Sequence, residues 1–260
     1  MTSTLPPITK KQQTIINLLY HFRFLNRIQI QTILNHKDRK TINEWLSDLT
    51  KKGYIDRIYS NKTITDKIKP AIYYIAKGGV KYLKDSGDYD SKALHKLCYE
   101  KDRTQDFIDR SILIADIYLN LPAGDKNKVS FTMSVPSIYP DHPFAELLTE
   151  LSPHGYVEQK QKSKTELYFI EVLGDLPAIR LRQRLKKYLS FYENNEWESE
   201  TGEDFPILLI ICPDEKTLIY AKRFLKRKLA EMEDESFVSH LTIADKFKEL
   251  GLTGDIWEKV

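Results

Sequence analysis

The sequence predicts an α+β fold in two parts, a small basic helical domain and a larger domain built on a mixed α/β sheet, and three observations predict it. Residues 1–85 hold 16 Lys and Arg against 6 Asp and Glu, a net +10 that leaves −7 for the other 175 residues of a chain whose total is +3. Helical spacing of apolar residues fills the first 50 positions and then gives way to two short alternating segments, as in helices followed by a hairpin. Beyond residue 128, apolar strand-like runs alternate with amphipathic helical ones, the pattern of a sheet with helices on its faces. A basic part joined to an acidic part directs the first toward a polyanion such as nucleic acid and the second elsewhere.

With 260 residues, each of two domains has length enough for its own core, and 41% apolar residues with 15 tyrosines indicate a folded chain. Order is expected throughout except at Met1–Pro7 and in the polar patch Glu193–Asp204. No apolar run approaches the roughly 20 residues that span a bilayer, and no signal peptide is visible, so the expected location is cytoplasmic with no membrane partner. Cys98 and Cys212 are too few for a disulfide framework or a zinc site and are expected as buried thiols, and the six histidines lack ligand spacing.

Thr9-Lys-Lys-Gln12 is a capping box, after which Ile15, Ile16, Leu18, Leu19 and Phe22 recur at helical spacing. Asn26-Arg-Ile-Gln29 repeats the box and opens a short second helix with Ile30, Ile33 and Leu34 inward. Asp38 starts a third, with Ile42, Trp45, Leu46 and Leu49 on one stripe and Gly53 placed to close it. Tyr54–Tyr59 and Ala71–Ile75 alternate as strands around a basic tip, and Lys77–Lys84 closes the domain as a helix with Val80 and Leu83 inward. Three helices and a hairpin in this order are the layout of a winged helix, here at residues 5–88.

In such a trio the third helix enters the major groove, where residues near its N-terminus reach base edges. Lys37, Arg39, Lys40, Asn43 and Ser47 are therefore the candidates for reading double-stranded DNA. Asn61, Lys62, Lys67 and Lys69 at the hairpin tip are candidates for phosphate contact, which gives affinity without sequence choice. A solvated surface is the ordinary fate of any single Lys or Arg. The agreement of three capped helices, a basic tip and +10 charge favours DNA binding.

The second domain is expected at residues 92–260. Leu94–Leu121 reads as one long amphipathic helix or two broken ones. Strands are expected at Lys128–Val135, Leu167–Leu173, Pro206–Cys212 and Phe237–Ile243, the third buried on both faces. Helices are expected at Ala178–Glu193 and Glu215–Met232, and Gly251–Trp257 as a tail docked through Trp257. On Ala178–Glu193, Arg180, Arg182, Arg184, Lys186 and Lys187 are expected outward and Ile179, Leu181, Leu185, Tyr188, Leu189 and Tyr192 packed. Arg180, Arg184 and Lys187 thus form either a solvated face or a second phosphate-binding surface.

Two carboxylates carry the only candidate chemistry, Asp141 in Tyr-Pro-Asp141 and Glu171 in Phe-Ile-Glu171-Val-Leu-Gly. A Pro-Asp pair and an acid on the next strand, followed two positions later by lysine, is the Mg2+-binding arrangement of restriction-endonuclease-like nucleases. Leu173 stands at the lysine position, leaving Gln183, Arg180 or Lys186 of the next helix to supply the missing polar group. The expectation is a nuclease-like domain without cleavage and without a cofactor, Mg2+ entering only if Asp141 and Glu171 act.

The segment Lys69-Pro-Ala-Ile-Tyr73-Tyr74-Ile-Ala-Lys77-Gly78, the Pro140-Asp141 element, Phe169-Ile-Glu171 and a Lys-x-x-Tyr-x-x-x-Tyr helix together resemble the replication-relaxation family of plasmids and mobile elements. The resemblance runs over nearly the full length. It implies DNA binding linked to plasmid replication, mobilisation or their control; a homodimer or a replication or mobilisation protein is the further partner expected of the chain. That family's strand commonly reads Glu-x-Asp before a Gly-Thr-Glu-like turn, whereas this chain has Glu171-Val172-Leu173 and Gly174-Asp175-Leu176. Two rivals stay open: a Mg2+-dependent nuclease, and a transcriptional regulator whose second domain dimerises or binds a partner.

Overall fold

The computed structural model describes residues 5–60, 63, 67–89, 91–120, 129–131, 144–160, 165–174, 176–232, 236–251 and 254–260. They form two compact units, Met1–Leu119 and Asn120–Val260.

In the first unit, both capping boxes are made. Helix α1 (Lys10–Phe22) starts where Thr9 accepts from Gln12 N at 3.3 Å and Gln12 answers on Thr9 N at 2.9 Å. Helix α2 (Arg27–Ile33) repeats this with Asn26 and Gln29 at 3.0 and 2.9 Å. Helix α3 (Arg39–Lys51) is capped by Asp38 and followed by Gly53 at φ +75°, a conformation only glycine adopts without strain. Strands β1 (Leu25–Asn26), β2 (Ile55–Ile58) and β3 (Ile72–Ile75) make an antiparallel sheet in the order β1-β3-β2. The layout is that of a winged helix. Helix α4 (Lys77–Ser86) closes it through Gly78 and Gly79, where an added Cβ would sit 2.5 Å from Gly53 O and 2.3 Å from Tyr54 O.

The unit continues past residue 88. Helix α5 (Ser91–Leu97), a 3-10 turn (Glu100–Asp102) and helix α6 (Gln105–Leu119) resolve Leu94–Leu121 as broken helices, and they belong to the first unit rather than the second. The boundary expected at 88–92 is thereby moved to 119. Helix α6 packs on α1, α2 and β1, because its apolar stripe (Ile108, Ile114, Ala115, Ile117) finds its complement there. Gln29 Nε2 donates to Ile112 O at 2.9 Å and Asp116 at 2.6 Å, and Arg23 and Glu100 form a fully buried ion pair. Split at 119, the units carry net charges of +8 and −5. Residues 5–7 are tied down as well, Pro6 O and Pro7 O accepting from Tyr54 and Lys52.

The second unit holds a six-stranded sheet, β4 (Val129–Phe131), β5 (Gly155–Lys160), β6 (Thr165–Val172), β7 (Ile207–Cys212), β8 (Ser239–Ile243) and β9 (Glu258–Lys259), neighbours in that order. Strands β4, β5 and β6 pair antiparallel, β6, β7 and β8 parallel, and β9 antiparallel. This is the mixed α/β sheet the sequence predicts. Parallel neighbours need crossovers, supplied by α8 (Ala178–Glu193) and α10 (Glu215–Met232). Phe169, Leu208, Ile210, Cys212 and Leu241 pack in one core with Leu181, Leu185, Tyr188, Leu218, Ala221 and Leu225, and the alternate residues Ile170, Val172, Leu209 and Ile211 are buried too. Of the strand expected at Lys128–Val135, residues beyond Phe131 lie outside the described ones.

Short helices α7 (Ala145–Leu151), α9 (Glu196–Thr201) and α11 (Ala244–Leu250) and strand β5 are additions to the sequence reading. Helix α9 corrects the expectation of disorder at Glu193–Asp204: Trp197, 1% exposed, packs on Phe144, Tyr156 and Phe169 and anchors an otherwise polar segment. Ile179, expected to pack, is 61% exposed in the first turn of α8. Cys98 is exposed rather than buried, while burial pushes the Cys212 thiol up to about 12, first by desolvation and then by the charge of Asp214. The end of the chain joins the sheet as β9, with Trp257 half-buried.

Candidate nucleic-acid interface and a buried carboxylate

Asp38 organises the start of α3. Its carboxylate accepts from the Thr41 hydroxyl and from the N–H groups of Lys40 and Thr41, bonds that hold its pKa below the usual range. The charge at this turn is thus turned onto the helix N-terminus, where the dipole favours it. Ile42, Leu46 and Leu49 are buried, which leaves Arg39, Lys40, Asn43 and Ser47 exposed along the opposite face, with Lys37 exposed just before it. His36 stacks edge-on against Trp45, 5.1 Å between centroids, so the α2–α3 turn is held to the helix it precedes. In the hairpin, Lys67 and Lys69 are exposed, and Asn61 and Lys62 lie outside the described residues. The structure adds Arg57, exposed on β2 with its guanidinium over Tyr59, itself 50% exposed. Period-two alternation does not find Arg57, since it would share a face with the buried Ile55; the strand is buried at Ile55 alone, and the sequence signal is only a basic residue beside the hairpin tip.

Glu171 has a different setting. It lies on β6, 1% exposed, and both carboxylate oxygens are taken: Arg184 Nε donates to Oε1 and Nη2 to Oε2, each at 2.8 Å, and the Tyr188 hydroxyl donates to Oε2 at 2.8 Å. His154 Nδ1 stands 3.3 Å from Oε2 and 3.1 Å from Val172 N, so it either donates to the carboxylate or accepts from the backbone. Burial alone would raise the Glu171 carboxyl; the charges of His154 and Arg184 outweigh it and hold the group well below the usual carboxylate range. Arg184 Nη1 also donates to Leu151 O at 2.9 Å and Nη2 to Ser152 O, satisfying carbonyls at the end of α7.

This arrangement corrects the outward placement of Arg184 and bears on the conditional Mg2+ site. Arg184, expected outward, points into the unit as the partner of Glu171, and Lys187 donates to Glu150 O; Arg180 alone of that trio is exposed without such a bond. Glu171 does not fit Mg2+: a divalent ion needs free carboxylate oxygens, and here a guanidinium and a phenol occupy them. Leu173, at the lysine position, is buried in the core, and Asp141 lies outside the described residues. Among the described residues no group of three or more His, Cys, Asp and Glu is placed to hold a metal ion. The sequence signal for this cluster is the acid in an apolar strand, which demands a buried partner without saying which residue supplies it.

The helix trio and its hairpin have the layout of a winged helix, and a mixed α/β unit follows them. The chain belongs to the Replication-relaxation family, whose profile matches residues 16–205. Comparison with curated proteins gives no match. Among solved structures the chain is similar to restriction endonuclease FokI (13% identity, TM-score 0.35, over 92% of this chain and 43% of that one). It is also similar to the same enzyme bound to DNA (12%, 0.27, over 93% and 44%). The chain spans less than half the length of those structures. No helix among the described residues is long and apolar enough to cross a membrane.

Proposed function

We propose that this is a cytoplasmic protein that binds double-stranded DNA through its winged helix and acts in plasmid or mobile-element replication, mobilisation or their control. One observation carries the reading: Arg39, Lys40, Asn43 and Ser47 share the exposed face of α3 while its other face is locked in the core. Arg and Asn are the side chains that make paired hydrogen bonds to guanine and adenine edges, and the N-terminal half of the helix is where they stand. Lys67 and Lys69 add phosphate contacts from the hairpin. Membership of the family supports the replication-related role. The second unit serves assembly, with a second copy or a replication protein, or further DNA contact.

Selection of binding sites from random duplexes at stated salt tests this reading, and the origin, transfer-origin or promoter location of the selected site names the process. On the selected site Arg39→Ala and Asn43→Ala each cost about 1–3 kcal/mol of binding, and less on random DNA. Lys67→Ala weakens both alike and lowers the salt slope by about one. Equal losses on both DNAs from all three changes would falsify the assignment of α3 as the reading helix.

A further inference from the structure

Charge in the second unit is sorted by location. Helices α8 and α10 carry 11 Lys and Arg against 3 Asp and Glu, while the rest of residues 120–260 carries 8 against 21. Both helices bury their apolar stripes in the same core and pack on one another, so they share one layer. At the end of α10, Glu231 takes a hydrogen bond from Lys228 and lies 3.8 Å from Arg227 Nε, which holds its carboxyl below the usual range.

Along α10, Lys216, Tyr220, Arg223, Lys226 and Arg227 recur at i, i+4, i+7, i+10 and i+11, one stripe, and all are exposed. The opposite stripe, Leu218, Ala221, Phe224 and Leu225, is buried. Lys222 and Lys228 at the flanks are paired with Glu258 and Glu231. Lys216, Arg223 and Lys226 have no carboxylate within ion-pair distance among the described residues. An ordinary solvated helix mixes signs at i, i+4. Here, among the described residues, the carboxylate that meets the stripe is Glu231 at its end, 3.8 Å from Arg227, and none stands at i, i+4 on the helix from Lys216, Arg223 or Lys226.

We propose that the outer face of α10 is a second surface for the phosphate backbone of double-stranded DNA. Lys216 to Arg227 spans about 16 Å of helix, enough to face several successive phosphates at roughly 3.4 Å of axis each. A lipid surface fits less well, because the apolar side that an interfacial helix would insert is already spent in the core. The choice of DNA as occupant rests on the winged-helix reading of the first unit.

The test uses the full chain and a duplex several times longer than one winged-helix footprint. Arg223→Ala/Lys226→Ala/Arg227→Ala lowers affinity at least about tenfold near physiological salt and reduces the salt slope by about two to three. Lys216→Ala, an exposed lysine outside the core, reduces the slope by about one. Unchanged affinity and slope in both variants overturn the proposal, whatever Arg39→Ala/Asn43→Ala does. Losses in both with a silent Arg39→Ala/Asn43→Ala support this surface and remove the winged-helix reading instead. Lost binding to phosphatidylserine vesicles with DNA binding intact overturns the proposal in favour of a membrane.

Discussion

Helices α3 and α8 are both rich in cations, yet they spend them in opposite ways. On α3 the basic residues stand outside a core that does not need them; on α8, Arg184 turns inward and meets every acceptor that Glu171, Leu151 and Ser152 offer. The difference lies in what each helix covers. Helix α3 covers apolar residues and one buried amide, Gln12, which needs an acceptor and finds it in Asp48, whereas α8 covers a strand with an acid in its buried face, and an unpaired carboxylate there would cost several kcal/mol. A count of arginines therefore says nothing about binding until the acid opposite each one is known.

The largest effect expected from breaking this contrast is on α8. Glu171→Ala leaves Arg184 partly buried without its partner and destabilises the protein by about 3–5 kcal/mol in urea unfolding. Replacing both, Glu171→Leu with Arg184→Met, recovers much of that loss, since a buried pair is worth little more than apolar residues of similar volume. Cleavage of DNA in Mg2+ abolished by Glu171→Ala, with the fold intact, would contradict the structural role given to this acid.

A smaller effect sharpens the electrostatic half of the contrast. Because the folded Glu171 carboxyl lies below its ordinary value near 4.5, its contribution is complete above that pH and is lost as the pH falls through and below it. Wild type should lose stability relative to Glu171→Gln over that acidic window and keep a constant difference from pH 6 to 8. A difference that grows on going up to pH 8 would assign the linkage to another group.

Smaller again, Asp38→Ala removes the cap of α3 and costs about 1 kcal/mol, readable in the unfolding midpoint. Arg39→Ala, exposed on the same helix, changes stability by no more than about 0.5 kcal/mol. If it costs several times that, α3 uses its cations as α8 does.

The first three helices were legible because their signals are local: Thr9 with Gln12, Asn26 with Gln29, Asp38 before Arg39, and Gly53 after the last turn. Ile207–Cys212 was legible because six apolar residues in a row between polar flanks have nowhere to go but a sheet interior. Partnership was not. The stripe of α6 announces that it is buried without saying against which domain, and Gly155–Lys160 mixes polar and apolar residues too evenly to declare a strand. Glu171 was found as an acid in an apolar run, but only the crossing of α8 over β6 shows that Arg184, 13 residues on, takes it out of chemistry. Helix α9 was hidden because one tryptophan outweighs five polar neighbours, a matter of buried area rather than pattern.

Gly78 and Gly79 press backbone against backbone at the turn that joins α3 to β2. Such a contact has no side-chain rotamer to relax through, so it acts as a fixed spacer between the start of α4 and that turn. The turn that leads from the proposed reading helix into the hairpin is thus backed by a pair of residues that carry no functional group at all.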